Sequence, residues 1–166
     1  MTVKAHILSL KFENTTTGKT YDILAGETPE AHEGDSLYTE AVIKNVGDQD
    51  GFIKDAFYRD DEYWTGIEGW VAAGDWFGSG VTLGKMPNHD LKVRIEVYSR
   101  LSEDYPWNLD ETKEYTVKLV KTAEETVREF WHRTFETIKE TPPLTGLVVT
   151  VGILRLVVFL IWVIAP

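Results

Sequence analysis

Apolar and polar residues alternate along the first 120 positions in short runs separated by turn residues, the pattern of an all-β sandwich. The clearest run is Leu91–Tyr98, where Leu91, Val93, Ile95 and Val97 alternate with Lys92, Arg94, Glu96 and Tyr98 and so share one face of a strand. Ser36–Val46 predicts another strand, ending in the turn Asn45-Val46-Gly47-Asp48-Gln49-Asp50-Gly51. Phe52–Arg59 returns from that turn with Phe52, Ala56 and Tyr58 on one side and Ile53 and Phe57 on the other. Val3–Phe12 opens the domain with Leu8, Leu10 and Phe12 on one face, and Tyr115–Val120 closes it. Between them, Trp64–Ala72 and Trp76–Leu83 are interrupted by Gly66, Gly69, Gly78 and Gly80, which predicts bent or edge strands. About seven strands in this length match an immunoglobulin-like antiparallel β-sandwich.

The period changes after residue 121. Thr122-Ala123-Glu124-Glu125 predicts a capping box, the Thr122 hydroxyl on the Glu125 backbone and the carboxylate reaching back. Val127, Trp131, Phe135 and Ile138 recur at helical spacing, and Phe130 widens the stripe. Glu124/Arg128 and Glu129/Arg133 are i, i+4 pairs in the favourable orientation. A sandwich leaves no open apolar face for such a helix. Its aromatic stripe is therefore expected to meet lipid or a neighbouring subunit rather than its own domain.

Leu144–Ala165 is almost wholly apolar. As a helix it spans roughly 33 Å, enough to cross a hydrocarbon core of about 30 Å. Three segments are thus expected: a sandwich over 1–121, an amphipathic connecting helix over 122–141 and a single C-terminal transmembrane helix over 144–165. Arg155 lies near the middle of the last segment, with Gly152 and Trp162 on roughly the same helical face. A charge at mid-membrane costs about 2.5–3.5 kcal/mol on insertion scales, so Arg155 is expected to face a partner chain, with Gly152 allowing close approach.

Charge sharpens this reading. Residues 1–120 carry 12 Lys and Arg against 22 Asp and Glu, and the remainder is balanced. An acidic body argues against nucleic acid as a partner, which needs a basic patch. The absence of cysteine excludes disulfides and thiolate chemistry. The N-terminus has no basic region followed by an apolar run, so no signal peptide is expected. The resulting layout is tail-anchored and single-pass, with the N-terminal domain cytoplasmic or capsid-facing.

Candidate chemistry is sparse. His6, His32, His89 and His132 lack metal-binding spacing, and no nucleophile elbow or P-loop occurs, so neither an enzyme nor a metal or cofactor is expected. Asp48 and Asp50, and Asp60, Asp61 and Glu62, form two acidic loops at opposite ends of one strand, read as solvated turns. Asn14-Thr15-Thr16 is a formal glycosylation sequon. Trp64, Trp70 and Trp76, with Phe77 beside them, exceed what one sandwich core needs. That segment is a candidate protein-contact surface, with carbohydrate stacking as a lesser option.

Tyr38-Thr39-Glu40-Ala41-Val42-Ile43-Lys44-Asn45-Val46-Gly47-Asp48, the following Phe52–Arg59 strand and Leu91-Lys92-Val93-Arg94-Ile95-Glu96-Val97 resemble the core of CARDB-type modules, over about residues 35–120. These are immunoglobulin-like domains of prokaryotic surface proteins. The resemblance implies that fold and an extracellular adhesion role, and it supplies no catalytic residues.

Together these readings describe a non-enzymatic, tail-anchored structural protein in contact with membrane lipid and with other subunits. One setting is a virion, in which the chain would link capsid to an internal membrane. The alternatives are an accessory subunit of a cellular membrane complex and a cell-surface adhesion or ligand-binding module.

Overall fold

Alternation of side chains builds nearly every element of the computed structural model, which describes residues 2–139. The strands are β1 (Ala5–Asn14), β2 (Lys19–Asp22), β3 (Glu30–Ala31), β4 (Ser36–Asn45), β5 (Gly51–Arg59), β6 (Glu62–Thr65), β7 (Glu68–Val71), β8 (Trp76–Lys85), β9 (Leu91–Arg100) and β10 (Asn108–Leu119). One helix, α1 (Ala123–Lys139), follows. Four strands form one sheet in the order β2-β1-β4-β8. The second sheet runs β3-β10-β9-β5-β6, with β7 also pairing β5. The pairing is antiparallel except between β3 and β10, which run parallel and so depart from the expected purely antiparallel sandwich.

The inner faces of the two sheets supply the core. Ile7, Leu10, Phe12, Leu37 and Ile43 come from the first sheet, and Ile53, Phe57, Val93, Ile95 and Val117 from the second, all buried. Fully burying such a side chain stabilises by about 1.5–3 kcal/mol relative to leaving it exposed. β9 has the predicted inner face. β1 does not. A bulge between Ile7 and Ser9 breaks its period of two, so Ile7 joins Leu10 and Phe12 inside while Leu8 is 48% exposed. On β5 the inner face includes a buried acid, Asp55, between Ile53 and Phe57.

The turn after β4 is built by two residues. Asn45, fully buried, donates from Nδ2 to the carbonyls of Gln49 (2.9 Å) and Val71 (3.1 Å). Its Oδ1 accepts from the Gly47 N–H (3.1 Å). A Cβ on Gly47 would stand 2.1 Å from the Thr2 carbonyl oxygen, so this position requires glycine.

The chain divides into two units between Val120 and Lys121. In the second, the capping box forms as expected: the Thr122 N–H donates to Glu125 Oε2 (2.7 Å) and the Glu125 N–H to Thr122 Oγ1 (3.2 Å). Lys121 takes the Glu129 carboxylate at 2.7 Å, and Arg133 acts on the same carboxylate.

The expected membrane architecture is corrected here. α1 has 17 residues, about 26 Å of helix, and carries Glu124, Glu125, Arg128, Glu129, Arg133, Glu136 and Lys139. Among the described residues no helix is long and apolar enough to cross a membrane. The segment 144–165, with Gly152, Arg155 and Trp162, lies outside the described residues. The described chain is therefore mainly β with one short helix, rather than a sandwich followed by a transmembrane span. The tail anchor, the lipid partner, the single-pass localisation and the capsid-to-membrane role all depended on a spanning helix. None is carried forward.

Candidate interaction surface

The register of β7, β5 and β9 lines up side chains on the outer face of the six-stranded sheet. Trp70 pairs with Phe52, and Phe52 with Arg100. The Arg100 guanidinium lies 5.2 Å from the Phe52 ring centroid and 4.3 Å from that of Trp107. One row further along, Lys54 sits between Tyr98 (5.9 Å) and Trp107 (5.8 Å). Beyond that, Arg94 lies 4.0 Å over Tyr58, which meets Tyr63 edge-on at 5.8 Å. Glu96 closes this group by accepting from Arg94 Nη1 and from the Tyr98 hydroxyl. Burial first, and the Glu96 hydrogen bond second, push the Tyr98 phenol well above its ordinary value, so it remains a neutral donor. Cation–π contacts and hydrogen bonds thus hold these aromatic rings in place. At one end of the row Trp70 is left 60% exposed.

The four residues singled out from sequence are divided by this geometry. Trp64 donates its indole N–H to the Thr82 carbonyl (2.9 Å), and Arg59 packs against its ring at 5.5 Å. Arg59 itself donates to the carbonyls of Leu83 (2.7 Å) and Lys85 (2.6 Å). Together they clasp the six-stranded sheet to β8 of the other sheet. Trp76, 64% exposed, pairs with Lys44 on the outer face of the four-stranded sheet, the side opposite Trp70. Phe77 is half-buried against the core.

The rows built by Phe52, Tyr58, Arg94, Arg100 and Trp107 were missed. Their signal was the aromatic and basic character of the polar-side positions of β5 and β9, which becomes a surface only once the strands are paired. On α1, Val127, Phe130 and Phe135 are exposed, and Trp131 touches Phe130 (6.0 Å) and stacks on Phe135 (5.8 Å). Ile138 lies in the same helix.

The acidic turns and three histidines have structural partners. Asp50 Oδ1 accepts from the Ala73 N–H (2.8 Å) and Asp60 Oδ1 from the Lys92 N–H (3.0 Å). His6 meets Glu111 at 2.9 Å, His89 meets Asp60 at 3.1 Å, and His32 Nδ1 meets the Val120 carbonyl at 2.6 Å. Among the described residues no group of three or more His, Asp or Glu could hold a metal ion. The sequon asparagine is only 2% exposed. Asn14 donates to Asp35 Oδ2 (2.7 Å), so the folded domain does not present it for modification. An open cleft of about 310 Å³ lies beside it, lined by Lys19, Tyr21, Glu30 and His32 among others.

No family model matches this chain, and no curated protein matches it. Among solved structures, the CARDB domain of a Pyrococcus furiosus protein, in complex with di-metal ions, is similar at 10% identity. The match covers 72% of this chain and 88% of that one, with a TM-score of 0.46. A β-glucosidase from Listeria innocua is similar at 16% identity, over 71% of this chain and 16% of that one, with a TM-score of 0.43. The likeness to the CARDB module is weak and distant, and it is one of β-sandwich outline alone.

Proposed function

We propose that the β domain is a non-catalytic binding module of the adhesion or ligand-binding kind, which meets a protein partner through the outer face of its six-stranded sheet. The observation that carries this reading is Trp70, well exposed and continuous with Phe52, Arg100 and Trp107. Tryptophan and arginine are enriched in the parts of interfaces where binding energy concentrates. Rings already held in place lose little conformational entropy on binding. The domain as a whole is acidic, while Lys54, Arg94 and Arg100 make this face locally basic among its rings. Asp50, Asp60, His6, His32 and His89 are engaged in turns and cross-strand contacts, which supports a binding role.

A photo-reactive amino acid at position 70 tests this reading, with one at position 11, on the outer face of the other sheet, as the control. Cross-linking to a discrete protein from position 70 and not from position 11 is the expected outcome. Equal labelling from both positions contradicts the assignment.

A further inference from the structure

Asp55 is a carboxyl group inside the sandwich that no strand ladder requires. It is fully buried on the inner face of β5. Its Oδ1 accepts from the Ile67 N–H (2.8 Å), and its own N–H donates to the Ile67 carbonyl (3.0 Å). These two bonds hold the connector between β6 and β7 at the point where neither strand pairs with β5. The connector passes so close that a Cβ on Gly66 would stand 2.2 Å from the Asp55 carbonyl oxygen. Asp55 Oδ2, by contrast, has no hydrogen-bond partner, and neither does the buried hydroxyl of Ser79 on β8 of the opposite sheet. A buried acid with one oxygen satisfied and the other not is held more firmly neutral than charged, because desolvation penalises the carboxylate.

We propose that Asp55 is a proton-sensitive pin for the Gly66–Ile67 connector, and so positions the aromatic segment from Trp64 to Trp70. When protonated, it accepts from Ile67 with Oδ1 and presents an O–H toward Ser79 Oγ, and the connector is closed. When ionised, it leaves a charge between the sheets, and the connector opens locally to admit water. The groups facing it are Ser79 from β8, Val97 from β9 and Ile67 from the connector, none of which titrates in the ordinary range. Lys54, next along β5, is the nearest charge acting on it and favours the carboxylate, while Glu68 pairs with Lys54 on the outer face. Ser79 Oγ lies near enough to favour the carboxylate without making a well-formed bond, and burial outweighs it together with Ile67 and Lys54, leaving the carboxyl above its usual range. The pin itself stands on the Asp55 geometry. Only its consequence, regulation of binding, rests on the reading of Trp70 as a contact.

The test is amide exchange of Ile67 in the full chain, corrected for intrinsic rates, from pH 4 to pH 8. The Ala41 amide, in the β4–β8 ladder, reports global unfolding. In the wild type, Ile67 opening is expected to rise by up to tenfold per pH unit between the ordinary Asp value and the raised one, then level off, and to exceed Ala41 opening throughout, since global unfolding exposes the same carboxyl. Asp55→Asn keeps an oxygen for the Ile67 N–H and offers an amide donor to Ser79, so its Ile67 profile is expected to be flat. A variant-free measurement accompanies it: the Asp55 carboxyl carbon shift must titrate with the same midpoint as Ile67 opening. Identical Ile67 profiles in wild type and Asp55→Asn, Ile67 opening no greater than that of Ala41, or a carboxyl midpoint apart from the opening midpoint overturns the proposal. None of these readouts involves a partner, so failure of the pin is distinguishable from failure of the binding surface.

Discussion

The Arg59–Trp64 clasp makes a quantitative prediction about how the two sheets are held together. Arg59→Ala removes one half-buried hydrogen bond from a charged donor to the Leu83 carbonyl and one exposed bond to the Lys85 carbonyl. It also removes a cation–π contact with Trp64. A charged hydrogen bond contributes about 1.5–3 kcal/mol, and an exposed cation–π contact about 0.5–1 kcal/mol. Discounting the exposed bond heavily for solvent screening, the expected loss is about 2–3 kcal/mol. Trp64→Phe keeps a ring but loses the bond to the Thr82 carbonyl, which costs about 1 kcal/mol. Because Arg59 and Trp64 touch, the double variant is expected to lose less than the sum of the two by about 0.5 kcal/mol or more. Urea unfolding measures this directly. At a slope of about 1–3 kcal/mol per molar for a small domain, Arg59→Ala moves the midpoint by roughly 1 M. A loss under about 0.5 kcal/mol for Arg59→Ala, or strict additivity in the double variant, refutes the clasp.

Two further outcomes follow from buried polar groups. Asn45→Ala leaves the Gly47 N–H and the Val71 and Gln49 carbonyls without their partner, and is expected to cost about 3 kcal/mol in urea unfolding, at the upper end for unsatisfied buried groups. Asp55→Asn is expected to stabilise the domain at pH 7 and to have little effect at pH 3. The folded Asp55 carboxyl is raised by burial, so the folded state holds its proton more tightly than the unfolded one. The stability this contributes is full below the unfolded carboxyl's ordinary value and is lost as pH rises through the raised one. Urea midpoints of both proteins at the two pH values check the sign.

Strand identity was readable wherever a strand is regular and has one wet face. β9 is the best case, because its Leu91, Val93, Ile95 and Val97 follow strict alternation and all point inward. β1 was misread because a bulge inserts one residue and shifts every later side chain, and Leu8 shows no local mark of it. Asn45 and Gly47 were legible as a turn, but not as the junction that also ties down β7 and the segment at Thr2, since those contacts are remote in sequence. The candidate surface was legible only in part. Trp70 stood out as an excess aromatic, whereas Phe52 and Arg100 reach it through strand register and Trp107 through the loop between β9 and β10. Trp64 and Trp76 look equivalent to Trp70 in sequence, yet one closes a clasp and the other lies on the opposite face. Alternation sets Asp55 on the face of Ile53 and Phe57, but β5 carries apolar residues on both faces, so its sequence alone does not show that this acid is the one turned inward. The apolar run at 144–165 read as a membrane anchor on length and hydropathy, but no described helix supports such a span.

The most direct test of the binding surface is capture of a partner by wild type and by Trp70→Ala, compared at equal folded fraction as judged by urea unfolding. Trp70 is largely solvent-exposed, so its removal is expected to leave the unfolding free energy within about 0.5 kcal/mol of wild type. Loss of a central interface tryptophan weakens binding by about 2 kcal/mol or more, or roughly 30-fold. A partner retained by wild type and weakened at least tenfold by Trp70→Ala, with folding unchanged, is the predicted result. Undiminished capture by a fully folded Trp70→Ala protein contradicts the account.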